Sequence, residues 1–307
     1  MDRLNAMAML VKVTETGSFS AASKALGVPL ATLSRKVSDL EKQLGARLLV
    51  RTTRKLSLTE AGIHYVAASK RILEQVEEAE RQAGGEYTQP KGELVITAPQ
   101  MFGRLHVLPV ISEFLANYPE IRIRLLLADH NLDLIEEHVD MAVRIGRLPD
   151  STMVATQVGS VRVITCVSPA LLSNIPALSH PEDLLELPCV TQDTNRNATT
   201  WRFKQPGSSN SLELAIQARL SVTNSDAALC AAIRQVGITR LLHYQAADAI
   251  AKGQVQIILP EYEPSPLPIH LLHASRGIMP LKMRSFLDFA APRLKDSVSA
   301  LQSPPSG

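Results

Sequence analysis

Residues 30 to 38, LATLSRKVS, set an arginine, a lysine and two serines on a segment whose apolar residues recur at helical spacing. Leu33, Val37, Leu40 and Leu44 step by threes and fours, and burying them turns Leu30, Ser34, Arg35 and Ser38 outward, with Lys36 beside them. A short polar helix face with a cation near its centre suits the major groove of DNA, where a guanidinium reaches guanine O6 and N7 together. Arg35 is the candidate base contact, with Ser34 next to it. The competing reading gives Arg35 a phosphate contact only. Arg51, Arg54 and Lys55 follow in LLVRTTRKLSLT, which reads as two short strands around a Thr-Arg turn. Cations on such a hairpin suit phosphates or the minor groove. An ordinary three-helix domain with solvated charges remains the bland alternative.

A second set of residues points to a small ligand. Thr97, Pro99 and Gln100 connect a strand to a helix, where free backbone N–H groups suit a carboxylate or another anionic oxygen. Arg144 ends a strand in VRIG and can pair with an anionic ligand or with a neighbouring carboxylate. Thr191, Thr223 and Asn224 fall at strand ends and can offer hydroxyl or amide contacts, or simply cap a turn. Trp201, the only tryptophan, can stack on an aromatic ligand or serve packing alone.

The elements that must position these groups are legible in part. Residues 3 to 16 read as a helix with Leu4, Met7, Leu10 and Val11 on one face. Gly17 stops it, Ser18 or Ser20 caps the next helix, and Phe19, Ala22 and Leu26 carry that helix to Gly27-Val28-Pro29. Two short helices joined by a Gly-containing turn form a helix-turn-helix, and the basic hairpin makes it winged. A long helix runs from about Thr59 to Ala83, with a weak seam at Tyr65/Val66, Ser69, Ile72, Val76, Ala79 and Ala83. It predicts a dimerising or domain-packing helix, followed by a hinge through Gly92.

From residue 93 the texture changes. Strands are expected at 93–98, 121–128, 140–146, 158–168, 189–192, 218–224, 254–259 and 264–274. Helices are expected at 103–117, 132–139, 181–187, 226–236, 243–252 and 280–296. This alternation predicts βαβ units and a mostly parallel sheet. Two such blocks, with strands near 158–168 and 266–274 crossing between them, predict two lobes around a ligand cleft.

Charge is divided unevenly. Residues 1 to 58 hold ten Lys/Arg against four Asp/Glu, while the chain as a whole carries a formal net charge of +2. A basic first module on a mildly acidic remainder fits one part meeting a polyanion and the other meeting something else. Cys166, Cys189 and Cys230 have no ligand spacing and are expected as reduced, mostly buried thiols. No stretch reads as a signal peptide or a membrane span, which places the chain in the cytoplasm.

The order of parts resembles the LysR-type bacterial transcriptional regulators across about residues 2 to 292. The most specific portion is FSAASKALGVPLATLSRKVSDLEKQLGARLLVRTTRKLSLTEAG, with GELVITAP, Tyr118-Pro119, DMAVRIG and GITRLLHYQ downstream. The resemblance implies an all-α-type winged helix-turn-helix at 1–59 and a linker and dimerisation helix with hinge at 60–91. It implies an α/β effector domain at 92–293, built like periplasmic binding proteins, with lobe I about 92–160 and 268–293 and lobe II about 161–267. Residues 294–307 are expected as a disordered tail. The partners implied are double-stranded promoter DNA, an anionic or aromatic small-molecule effector, and the chain itself as dimer or tetramer. No cofactor, metal or membrane is expected.

One departure bears on readout. Where the family places a polar cap and then Gln-Pro, this chain has Pro29, Leu30 and Ala31, and Leu30 cannot make a bidentate adenine contact. Two other functions compete: a DNA-architectural protein without ligand control, and an enzyme using the cleft. The sequence has no GxSxG, GxxxxGK[ST], HExxH or Gly-rich dinucleotide loop.

Overall fold

Side-chain caps set the first helices. In the computed structural model, which describes residues 2–51, 56–83, 89–129, 134, 137, 139–148, 153–192, 198–207, 211–274 and 279–300, the chain divides into units Met1–Gln89 and Pro90–Gly307. Asp2 accepts the Asn5 N–H at 3.2 Å and opens α1 (Arg3–Thr16). Ser18 accepts the Ala21 N–H at 3.0 Å and opens α2 (Phe19–Leu26). Gly27 ends α2 at φ 64°, a left-handed conformation that costs a side-chain-bearing residue free energy, and α3 (Leu30–Leu44) follows. The core joins Ala6, Met9, Leu10 and Val13 of α1 to Ala22, Leu33, Val37 and Leu40. Leu4 is exposed, contrary to expectation, because the small Ala6 rather than Leu4 faces the other helices. Leu26 and Leu44, one residue before each terminal glycine, also stay at the surface.

The wing is a two-stranded antiparallel ribbon, β1 (Leu49–Arg51) and β2 (Leu56–Leu58). Glu41 of α3 ties it down by accepting the N–H groups of Leu48 at 2.8 Å and Leu49 at 3.0 Å. Thr59 accepts the Gly62 N–H at 2.9 Å and opens α4 (Glu60–Ala83). A side chain at Gly62 would put its Cβ 2.0 Å from the Leu48 carbonyl oxygen, so this crossing of helix and wing admits glycine alone. The expected seam divides. Val66 and Ser69 are buried, whereas Ile72 and Ala79 remain exposed.

The second unit carries two sheets. β3 (Gly92–Ala98) leads into a helix of three parts: α5 (Gln100–Phe102), a π-helical segment (Gly103–Val107) and α6 (Leu108–Asn117). It begins three residues before the expected start at 103. The Asp129 carboxylate accepts the Gln100 N–H at 2.9 Å and satisfies that helix end. β4 (Ile121–Leu127), β5 (Met141–Ile145) and β6 (Met153–Val161) follow. The expected helix at 132–139 falls mostly outside the described residues, and Leu134 and Glu137 lie in turns.

β7 (Val163–Val167), α7 (Pro169–Leu172), a 3-10 turn (Pro181–Glu186) and β8 (Cys189–Thr191) start the second lobe. β9 (Ala198–Lys204) and β10 (Ser211–Ser221) form an antiparallel hairpin where only a strand from 218 was expected. Trp201 and Phe203 alternate inward on one arm, and Leu214 and Ile216 on the other. α8 (Ser225–Ile233), β11 (Ile238–Leu242), α9 (His243–Ala251) and β12 (Gln256–Ile258) complete it. β13 (Leu267–Ala274) and α10 (Leu281–Ala300) return to the first lobe.

The sheet orders are β4-β3-β5-β13-β6 and β12-β7-β11-β8-β10-β9. Both are mixed rather than mostly parallel, since β13 runs antiparallel to β5 and β6, and β11 to β7. The expected single strand at 158–168 is two, broken at Arg162, with one piece in each sheet. The chain crosses there and again between β12 and β13. Arg162 donates to both carboxylate oxygens of Glu263 at 2.8 and 2.7 Å, linking the two crossings. The expected tail from 294 is helical to Ala300, because Leu294 and Val298 are buried against the first sheet; residues 301–307 lie outside the described residues. Among the described residues no helix is long and apolar enough to cross a membrane.

Candidate functional site

α3 presents Arg35 and Leu30 to solvent, Leu30 at 46% exposure, with Ser34 and Ser38 half-buried between them. Three fully buried residues, Leu33, Val37 and Leu40, fix this orientation from behind. Lys36 is half-buried on the flank, about 60° from the buried stripe, so it lies off the centre of the outward face. Arg51 is the last residue of β1 and pairs with Leu56. Arg54 and Lys55 lie outside the described residues. The face therefore joins one exposed guanidinium to two short hydroxyl side chains and an exposed leucine, a mixture able to contact base edges and a thymine methyl.

The second unit holds a cleft of about 760 Å³ between its lobes, at the carboxyl ends of β3, β8 and β11. Of the sequence-predicted residues, Pro99, Thr191 and Trp201 line it. The other five lie outside its lining, each for a visible reason. Thr97 is fully buried and donates its hydroxyl to the Leu126 carbonyl at 3.0 Å. The Gln100 N–H is taken by Asp129, so the backbone anion site expected at 97–101 is already occupied by a carboxylate of the chain. Asn224 caps α8 by accepting the Ala227 N–H at 2.8 Å, and Thr223 precedes it on the surface. Arg144 alternates with Met141 and Val143 and therefore faces away from the core they enter. It is buried there, and burial lowers its pKa.

Residues missed by sequence reasoning supply most of the polar wall. Gln245 donates to Ser225 Oγ at 2.8 Å, Ser225 donates to Gln192 Oε1 at 2.9 Å, and Gln192 donates to the Arg240 carbonyl at 3.1 Å. Thr191 Oγ1 lies 3.1 Å from Ser221 Oγ. The Arg240 guanidinium sits 4.5 Å over the Phe203 ring and donates through Nη2 to the Arg202 carbonyl. Burial pulls its pKa down to about 10, partly offset by the Glu263 carboxylate. Tyr244 joins the cleft to the first lobe, where its ring meets Phe102 and His106 edge-on at 5.4 and 5.6 Å. The helical signal of HYQAADAIA gave away α9; nothing in the sequence placed Arg240 and Tyr244 on one wall.

Cys166 and Cys189 are buried thiols whose pKa values burial pushes up to about 12, whereas Cys230 is exposed. Among the described residues no group of three or more His, Cys, Asp or Glu is placed to hold a metal ion.

Two family models match the chain. The one described as bacterial regulatory helix-turn-helix protein, lysR family, covers residues 4–63, and the one described as LysR substrate binding domain covers residues 88–295. An HTH-type transcriptional regulator of Xanthomonas campestris pv. campestris is 37% identical over 95% of this chain and 85% of its own length. An HTH-type transcriptional repressor of Pseudomonas aeruginosa is 31% identical over 94% of this chain and 91% of its own. Among solved structures, CrgA, a LysR-type transcriptional regulator from Neisseria meningitidis, is 28% identical and superposes with a TM-score of 0.60 over 94% of this chain and 98% of that one.

Proposed function

The chain belongs to the LysR family of bacterial transcriptional regulators, and from that premise we propose how its two units divide the work. It is a DNA-binding regulator under the control of a small-molecule effector, not an enzyme. In our reading the effector lies in the cleft lined by Pro99, Thr191 and Trp201, at the strand ends where α/β folds bind ligands. The DNA contact is assigned to α3, with Arg35 at a base edge and Ser34, Ser38 and Leu30 around it. The wing cations Arg51, Arg54 and Lys55 go to phosphates or the minor groove. Members of the family form oligomers; for this chain we assign pairing to the exposed stripe of α4, which lets two copies read two half-sites. A regulator of chromosomal DNA works in the cytoplasm, and we place the chain there.

One observation carries this reading. A single chain joins a helix-turn-helix with an outward arginine to a two-lobed unit with a ligand-sized cleft. A purely architectural DNA-bending protein needs no such cleft. The effector acts by population shift: binding to one lobe arrangement better than another changes which oligomer geometry meets the promoter. Sequencing the fragments the protein captures from sheared DNA of its source organism tests the assignment. Enrichment of a site with two-fold symmetry is expected; fragments no different from input DNA overturn it.

A further inference from the structure

Of the two arginines that line the cleft, Arg202 pairs with Glu213 at 2.6 Å, whereas Arg240 has no carboxylate partner among the described residues. Thr191 is engaged with Ser221, and Gln245, Ser225 and Gln192 bond in series. Arg240 differs: its Nε is buried and has no hydrogen-bond partner. Among the described residues no carboxylate pairs with it, and the nearby Glu263 is held bidentately by Arg162. Nη2 is spent on the Arg202 carbonyl, which leaves the charge of this half-buried guanidinium without an ion-pair partner, and the anion that matches a guanidinium is a carboxylate with two oxygens. The first lobe offers the opposite charge. Asp129 lines the cleft on that side and already occupies the helix N-terminus at Gln100.

On the reading that the effector sits in this cleft, we infer that it is an organic carboxylate whose acid group pairs with Arg240 on the second lobe, while its body, neutral or cationic, points toward Asp129. The apolar wall of Val163, Val190, Leu241 and Trp201 receives that body. The anion site thus lies across the cleft from Pro99, at the junction of β3 and α5. A ligand held by Arg240 on one lobe and touching Pro99 and Asp129 on the other favours the closed arrangement, which couples acid binding to lobe closure.

The sole tryptophan, Trp201, lines the cleft, so intrinsic fluorescence reports occupancy directly. The probes are small aliphatic and aromatic carboxylic acids, phenylacetate and butyrate among them, each titrated beside its primary amide into the full-length protein. Acids are expected to shift Trp201 emission saturably and to bind about tenfold or more tightly than their amides. Arg240→Gln is expected to bring the acids down to the affinity of their amides, while Arg240→Lys keeps part of the preference because the charge stays. Thermal unfolding of each variant confirms that it is folded; if Arg240→Gln is not, the Arg240→Lys result and the acid-to-amide ratio of the parent decide. Acids that bind no better than amides, or that bind the Gln variant as tightly as the parent, overturn the Arg240 anchor and leave the cleft assignment standing. If neither acids nor amides move Trp201, the cleft assignment and this inference both fall.

Discussion

Three side chains bear most of the account. Arg35 stands exposed on a helix whose other face is fully buried, so truncation removes a contact without disturbing the core. Arg35→Ala should weaken specific binding by about 1–3 kcal/mol and relax discrimination at one base position, read by titrating operator variants. Unchanged affinity and unchanged base preference would mean that Arg35 reads nothing. His106 makes a different prediction. It is held between Phe102, Tyr244 and Ser297, whose hydroxyl lies 2.8 Å from Nδ1, and burial lowers its pKa from 6.5. The unfolded chain therefore binds a proton at higher pH than the folded one, and stability falls as pH drops below about 6.5. Burial also lowers His243 and His270, which act in the same direction. Unfolding midpoints across this range should show that loss, and His106→Gln should lessen it. Arg240 is the residue the sequence hid. It stands inside an apolar run, ITRLLH, and only the fold places its guanidinium over Phe203 on the wall of the cleft, with Nε buried and without a hydrogen-bond partner.

At the level of elements, the first unit was more legible than the second because its punctuation is local. Gly17, Gly27 and the Ser18 cap announce helix ends within a few residues. The second unit depends on pairings far apart in sequence. A break at Arg162 is invisible in an unbroken β-type run, yet it sends the strand from one sheet to the other. The Asp129 carboxylate that starts the helix at Gln100 and closes the expected anion site lies 29 residues downstream. Gly62 is a local signal with a distant cause: its missing side chain lets α4 cross the Leu48 carbonyl. Gly62→Ala should cost roughly 2–3 kcal/mol of stability in the winged domain, since the clashing atom is backbone and cannot swing aside. Urea unfolding of the first unit's transition measures it, and a midpoint equal to the parent's would contradict the packing. On α4 the exposed Ile72 belongs to the stripe assigned to pairing. If α4 pairs two copies as proposed, Ile72→Asp should lower the mass found by sedimentation at micromolar concentration while leaving the fold intact. An unchanged mass would move the pairing surface elsewhere.

For the whole molecule, the division of charge seen in the sequence acquires a meaning. The basic first 58 residues contain the wing and the helix assigned above to DNA, and the mildly acidic remainder includes two lobes around a cleft of a size suited to a small organic molecule. Family membership states that such a chain couples the two; the residues state how each end is built. By linkage, a ligand that alters DNA binding must itself bind differently when DNA is present, so the coupling can be read from either side. The most direct measurement is a protection footprint on a captured genomic fragment, with and without a saturating amount of the acid that shifts Trp201 emission most. The account predicts a changed affinity or a changed pattern of protection, lost when Thr191→Trp fills the cleft. An identical footprint and affinity with and without the bound acid would contradict it.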